Sequence, residues 1–264
     1  MAKGTTIQAV KGTRDYYPEA MAFRTWLYDN ARAISQRFGY QEYEAPILER
    51  LELYAAKSGE ELVKEQSFIL TDRGGDELAL RPELTPSLAR MVAQRQAQLI
   101  RPVRWFSFGP FWRYERPQRG RTREFFQWNI DLLGAETPAA DGEIVAIGAE
   151  FLRSLGLSPD EVAIHLNSRR LMERKLAEMG IGDDLRMDVF RLIDRRDRLS
   201  PDKWQAWASD LGLSNAQIEA LQALLVNADL WQESEELRTV FATAEASGVA
   251  DYLVYDASIV RGLD

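Results

Sequence analysis

The sequence predicts an α+β fold, an antiparallel β-sheet flanked by helices and carrying a helical insertion. Three observations support that expectation. Residues 125–132 alternate strictly, with Phe126, Trp128, Ile130 and Leu132 on one face and Phe125, Gln127, Asn129 and Asp131 on the other. That is the two-residue period of a strand. Phe23, Leu27, Ala31, Ile34 and Phe38 recur at steps of three and four, the spacing of a helix with one buried face. From 170 to 248 the pattern is helical throughout.

The elements follow in order. KGTRDYYP, residues 11–18, reads as a turn whose proline suits the first position of the helix that follows. Gly39 stops that helix, Tyr40 to Ala45 reads as a strand, and Pro46 ends it. Residues 67–72 and 77–81 form short strands around the turn Arg73-Gly74-Gly75-Asp76. Thr85 is an N-cap before Pro86, and Leu88, Met91, Val92, Arg95 and Leu99 continue the helix. VRWFSFGPFWRYE and REFFQWNIDLLG are the arms of a hairpin with a basic, polar tip, and Arg113 and Glu115 share one face of its first arm. A helix from Asp141 to Leu155 and a strand over 162–167 follow. Helix starts at Ser200-Pro201 and at Ser214, where Gln217 completes a capping box, mark the helical region. Tyr252 to Val260 returns to strand composition. The implied division is a core over 1–169, an insertion over 170–248 and a return to the sheet over 249–264.

Composition narrows the chemistry. The chain of 264 residues is 45% apolar, carries a net charge of −8 and has no cysteine. Disulfides, zinc–thiolate sites and thiol nucleophiles are excluded. The lone histidine, His165, lies in the run VAIHLN, which reads as a structural strand position. The acidic balance argues against a surface-wide nucleic-acid coat and leaves room for a local basic patch. The opening MAKGTTIQAVKGTRD has no signal-peptide stretch, and no apolar run reaches the roughly 18 residues of a membrane span. A soluble, cytoplasmic protein is expected.

Two groups of residues invite a chemical reading. Gln127, Asn129 and Asp131 form either a solvated sheet face or the floor of a polar pocket. An amide and a carboxylate there suit an amino group and an imidazole N–H. Glu83, in LRPELTP, adds a second acid. Arg113, Arg116, Arg119, Arg121 and Arg123 form either a solvated cationic turn or a phosphate site, since forked guanidinium groups match phosphate oxygens. There is no P-loop and no GxGxxG after a strand, so a bound nucleotide would be held by arginines on a sheet.

FWRYERPQRGRTREF resembles the second signature motif of class II aminoacyl-tRNA synthetases, and residues 19–46 resemble the first. KGTRDYYP, LRPELTP, QWNID and the closing IVRGLD together resemble histidyl-tRNA synthetases over nearly the whole chain. The resemblance implies activation of histidine with ATP and Mg2+, transfer to tRNA(His), a homodimer, and no tightly bound organic cofactor. It implies that Arg113 holds the α-phosphate, that Glu115 and Phe125 hold the adenine, and that Arg121 reaches the outer phosphates. Glu83, Thr85 and Gln127 would hold the α-amino group, and Asp131 would read the imidazole. Arg261 would join Arg113 as a catalytic cation. Magnesium ligands are not implied. Asp131 replaces the glutamate of many bacterial members. The family's third signature motif and anticodon-binding domain do not occur before Asp264, so the chain is expected to be a fragment. A second implied reading is the synthetase-like regulatory subunit of ATP phosphoribosyltransferase, which tends to lose the arginine of the RGLD segment. Two placements are expected: Gln127 and Asp131 in one cavity with Glu83, and the 252–260 strand beside the Gln127 strand, bringing Arg261 near Arg113.

Overall fold

The computed structural model describes residues 7–58, 63, 65–118 and 120–260. It divides into two compact units, residues 1–135 and 136–264.

In the first unit, α1 (Pro18–Arg37) starts after the extended Tyr17, has proline in its first turn, and passes into Gly39 at φ 81°. Its stripe is buried only at the C-terminal half. Ala31 and Ile34 are inaccessible, whereas Phe23 stays 64% exposed and Trp26 44%. The strand expected over 40–45 shortens to β1 (Gln41–Glu42), parallel to β5 (Val103–Trp112). One further ladder bond, Tyr43 N to Phe106 O at 2.9 Å, extends it. The chain then leaves for β2 (Leu48–Arg50) and α2 (Glu52–Ser58). β3 (Ile69–Thr71) and β4 (Glu77–Leu80) form a hairpin, and a second sheet runs in the order β2-β4-β3. Its turn is set by Asp72, whose Oδ1 accepts from the backbone of Gly74 at 2.7 Å and Asp76 at 2.9 Å. α3 (Thr85–Arg95) follows Leu84, so Thr85 is the first helical residue and makes no side-chain cap. With Pro86 already supplying the first-turn residue that lacks an N–H, the helix begins one residue earlier than expected.

β5 pairs antiparallel with β6 (Glu124–Leu133) over ten residues, from Val103↔Leu133 to Trp112↔Glu124. The apolar face of this hairpin lies under α1. Trp128 Nε1 donates to Ser35 Oγ at 3.1 Å, Tyr28 stacks on Phe108 with centroids 4.5 Å apart, and Arg24 sits 3.5 Å over the Phe126 ring. Every residue of β6 is half-buried, so the polar face is not an open solvated surface.

The second unit holds α4 (Pro138–Ser154), β7 (Ile164–Leu166), α5 (Arg169–Glu178), α6 (Asp183–Asp194), α7 (Pro201–Asp210), α8 (Asn215–Leu225), α9 (Glu235–Ala246) and β8 (Leu253–Tyr255). Its core gathers Met172, Leu176, Val189, Leu192, Trp204 and Leu221. α4 packs on α9 so closely that a Cβ on Gly142 would lie 2.6 Å from Thr243. That packing groups α4 and β7 with the helices, so the compact units follow a different line from the partition at 169/170 and 248/249.

The strand expected over 252–260 differs most. Only Leu253–Tyr255 is strand, and it pairs in parallel with β7 in a separate two-stranded sheet, not with β6. The chain turns at Asp256, whose Oδ1 accepts from Ser258 N and Oγ at 2.9 and 2.6 Å. Asp256 Oδ2 meets His165 Nδ1 at 3.1 Å, tying the two strands together. His165 is thus a strand residue, as expected. Arg261 lies outside the described residues. Among the described residues no helix is long and apolar enough to cross a membrane.

Candidate active site

The β5–β6 register puts Phe111↔Phe125, Gly109↔Gln127, Ser107↔Asn129 and Trp105↔Asp131 opposite each other. Directly paired residues share a face, so these eight form one surface. Phe111 and Phe125 stack at its outer end, with centroids 6.0 Å apart. Asp131 stands at the other end.

A buried arginine lies on this surface. Arg81 is wholly inaccessible. Its Nη1 donates to Glu44 Oε1 and, at 2.9 Å, to Ala45 O, and its Nε donates to Pro110 O at 3.0 Å. A Cβ on Gly109 would collide with its Nη2, which has no partner among the described residues. Glycine in a strand marks such a close approach, so Gly109 is the space that admits the guanidinium. The alternation along β4, with Ala79 buried, gave the parity that turns Arg81 inward. That arginine, Glu44 and Tyr43 were missed by sequence reasoning, and Gly109 among the aromatics of VRWFSFGPFW was the available signal.

Arg113 follows the last residue of β5 but stays in the ladder, its N–H donating to Arg123 O at 2.9 Å. Its Nε donates to Pro82 O at 3.2 Å, and its guanidinium lies 5.1 Å over Phe125. A cavity of about 230 Å³ is lined by Arg113, Glu83, Pro82, Tyr54, Gln66, Ser67 and Val63. A cation and a carboxylate, the two groups expected at the α-phosphate and the α-amino group, therefore line one cavity. Burial pushes the Tyr54 phenol up to about 12. Gln127 and Asp131 do not line this cavity; they lie farther along the same sheet face. Thr85 is exposed at the start of α3.

Glu115 is not on the face of β5, because the strand stops at Trp112. A tight turn closes there, Glu115 N donating to Arg113 O at 2.8 Å. Its carboxylate pairs with Arg121 at 3.5 Å, so Arg121 folds back onto it. Gln118 and Arg121 exchange backbone hydrogen bonds at the hairpin tip. Arg119 lies outside the described residues. Arg123 makes structural contacts just before β6. It lies 4.5 Å over Tyr114 and donates to Glu115 O at 3.1 Å, and its backbone N donates to Gly12 O at 2.9 Å. Gly12, at φ 89°, would strike Arg123 if it carried a Cβ. The KGTRD turn therefore braces the return strand. Of the described arginines of this segment, Arg113 lines the cavity, Arg121 pairs with Glu115, Arg123 braces the KGTRD turn, and Arg116 is exposed.

Asp131 accepts from the Tyr43 hydroxyl at 3.0 Å. Burial raises its carboxyl above the usual carboxylate range, and the Tyr43 bond opposes that rise. The Tyr43 phenol is itself pushed far up by burial and by the Asp131 charge. Among the described residues no group of three or more His, Cys, Asp and Glu side chains is placed to hold a metal ion.

The family profile described as histidyl-tRNA synthetase matches residues 12–263. A histidine–tRNA ligase of Haloarcula marismortui is 37% identical over 97% of this chain and 62% of its own length. The chloroplastic/mitochondrial histidine–tRNA ligase of Arabidopsis thaliana is 36% identical over 99% of this chain and 56% of its own. The chain thus spans roughly three fifths of the length of these curated relatives. In fold, it superposes on histidyl-tRNA synthetase from Nostoc sp. PCC 7120 with a TM-score of 0.85 at 20% identity, covering 98% of this chain and 63% of that one. An ATP phosphoribosyltransferase regulatory subunit/histidyl-tRNA synthetase from Bacillus halodurans C gives 0.82 at 24% identity, covering 98% and 70%.

Proposed function

The chain belongs to the histidyl-tRNA synthetase family, and on that premise we propose that it binds histidine and MgATP and takes part in forming histidyl-adenylate, from which tRNA(His) is charged. The observation that carries this reading is the cavity shared by Glu83 and Arg113, with Phe125 under the arginine.

The chemistry follows from charge. A histidine carboxylate oxygen attacks the α-phosphorus of ATP, a P–O bond forms, and the bond to the β-phosphate oxygen breaks to release pyrophosphate. No proton needs to move, because the nucleophile is already an anion. The demand is for fixed positive charge at the non-bridging oxygens, where negative charge grows. Arg113, held by Pro82 O and by the Phe125 ring, is preorganised for it. Glu83 opposes the ammonium of the substrate, with Thr85 and Gln127 as further acceptors. Asp131 accepts from an imidazole N–H at the far end of the same face. Phe125 offers a surface for the adenine, and Glu115 an acceptor for its amino group once Arg121 swings to the outer phosphates. Magnesium arrives with the substrate, held chiefly by phosphate oxygens, as this hard, strongly hydrated ion commonly is. Arg261 is the second cation of this reading.

The exposed aromatic end of α1, where Phe23 and Trp26 stack 5.6 Å apart, supports a homodimer through α1. The test of function is histidine-dependent exchange of pyrophosphate into ATP. Replacing Arg113 by alanine is expected to lower the rate by about two to three orders of magnitude, the scale for losing one preorganised charge-stabilising donor. An unchanged rate would remove Arg113 from the chemistry.

A further inference from the structure

We propose that Tyr43 is a positioning residue that makes Asp131 read one particular ring nitrogen of histidine; this rests on the proposed histidine pocket. Tyr43 and Asp131 are 88 positions apart in the chain, yet their hydroxyl and carboxylate meet at 3.0 Å. The tyrosine is held at three points. Its backbone N–H donates to Phe106 O at 2.9 Å, its ring packs on Trp105 with centroids 5.4 Å apart, and its hydroxyl is on Asp131. Trp105 is itself the cross-strand partner of Asp131. The donor is therefore built on the rigid sheet and costs little conformational entropy on binding.

The hydroxyl bonds Oδ2, and among the described residues Asp131 accepts no other hydrogen bond. A free carboxylate presents two equivalent oxygens and can swing to meet either ring nitrogen. With Oδ2 occupied and the group's rotation fixed, Oδ1 is the acceptor left for a ligand N–H. A substrate ring must then bring one defined nitrogen, protonated, to that oxygen. The half-buried setting strengthens the effect, since an acceptor left unmatched there is not compensated by water.

The experiment is equilibrium dialysis of the chain and of its Tyr43→Phe variant with histidine, with the two ring-N-methylated histidines and with ATP. Melting temperatures are recorded beside the affinities. The wild-type chain is expected to bind one methylated isomer better than the other. Tyr43→Phe should bind histidine about tenfold more weakly, the scale of one hydrogen bond to a charged group. The affinity ratio between the isomers should fall towards one, while ATP binding and melting temperature stay close to wild type. A merely structural tyrosine would not move that ratio. If the variant keeps both its histidine affinity and the wild-type ratio, Tyr43 does not position Asp131, and the histidine pocket stands without it. If the wild-type chain binds no histidine at all, the pocket itself falls and the positioning role with it.

Discussion

Gly109 and Arg81 illustrate how one residue's absence of a side chain decides another's place. The guanidinium is buried beneath a strand because glycine leaves the volume open, and it is anchored by two carbonyls and Glu44. Gly109→Ala should force Arg81 out of those bonds and leave buried acceptors unmatched. A loss of roughly 2–3 kcal/mol is expected, read by chemical denaturation; a loss below about 0.5 kcal/mol, the scale of an ordinary surface change, would show that Arg81 relaxes freely. Asp131 makes the opposite prediction. Its carboxyl is raised in the folded state, so the folded protein holds that proton more tightly than the unfolded chain does. Stability from this group is then greatest below the ordinary carboxylate range and is lost as pH rises through that range to the raised folded value. At neutral pH the ionised group is a burden. Asp131→Asn, whose amide oxygen still accepts from Tyr43, should melt at or above the wild-type temperature at neutral pH, with the advantage gone in acid. It should also lose histidine binding. A clearly lower melting point at neutral pH would mean that the charge is stabilising.

At the scale of elements, helix starts and hairpin arms behave differently. Ser214 Oγ accepts from Gln217 N, and Gln217 Oε1 accepts in return from Ser214 N, a complete capping box. Ser200 opens α7 with the same extended backbone but makes no side-chain cap. Ser214→Ala should therefore cost about 1 kcal/mol, and Ser200→Ala a few tenths at most. Equal losses in paired denaturation curves would show that the distinction between the two starts is not energetic. The hairpin needs no such signal, because ten consecutive cross-strand pairs and the α1 cover set its register. A one-residue slip would carry Trp128 away from Ser35 and turn Gln127 and Asp131 toward α1.

On the scale of the whole chain, the net charge is −8, so the positive charge that phosphates require has to come from particular side chains. Arg113 and Arg121 are at the hairpin, where the proposed phosphates would sit. The exposed aromatic end of α1 is the other feature at this scale. Sedimentation should give a dimer at micromolar concentration, and Trp26→Glu should shift it to monomer while leaving helix content unchanged. A monomer in the wild type would leave the α1 surface without the proposed partner.

Local chemistry determined a good deal by itself. Strict alternation over 125–132 specified both the strand and which residues share the polar face, because a strand's side-chain period allows only two outcomes. Prolines, glycines and the Ser214–Gln217 box located turns and helix starts, being short-range steric and hydrogen-bonding effects. Glu83 and Arg113 were legible as candidates from residue type and order. Tertiary structure alone decided what meets across the chain. It brought Tyr43 to Asp131 and Arg81 to Gly109, put Glu83 and Arg113 around one cavity, and left Gln127 outside its lining. It also gave β8 to β7 and not to β6. Both Ile164–Leu166 and Leu253–Tyr255 are runs of three residues, and no local pattern in either names its partner. Pairing of that kind is set by which edges the helices bring together, and that is a property of the packed chain.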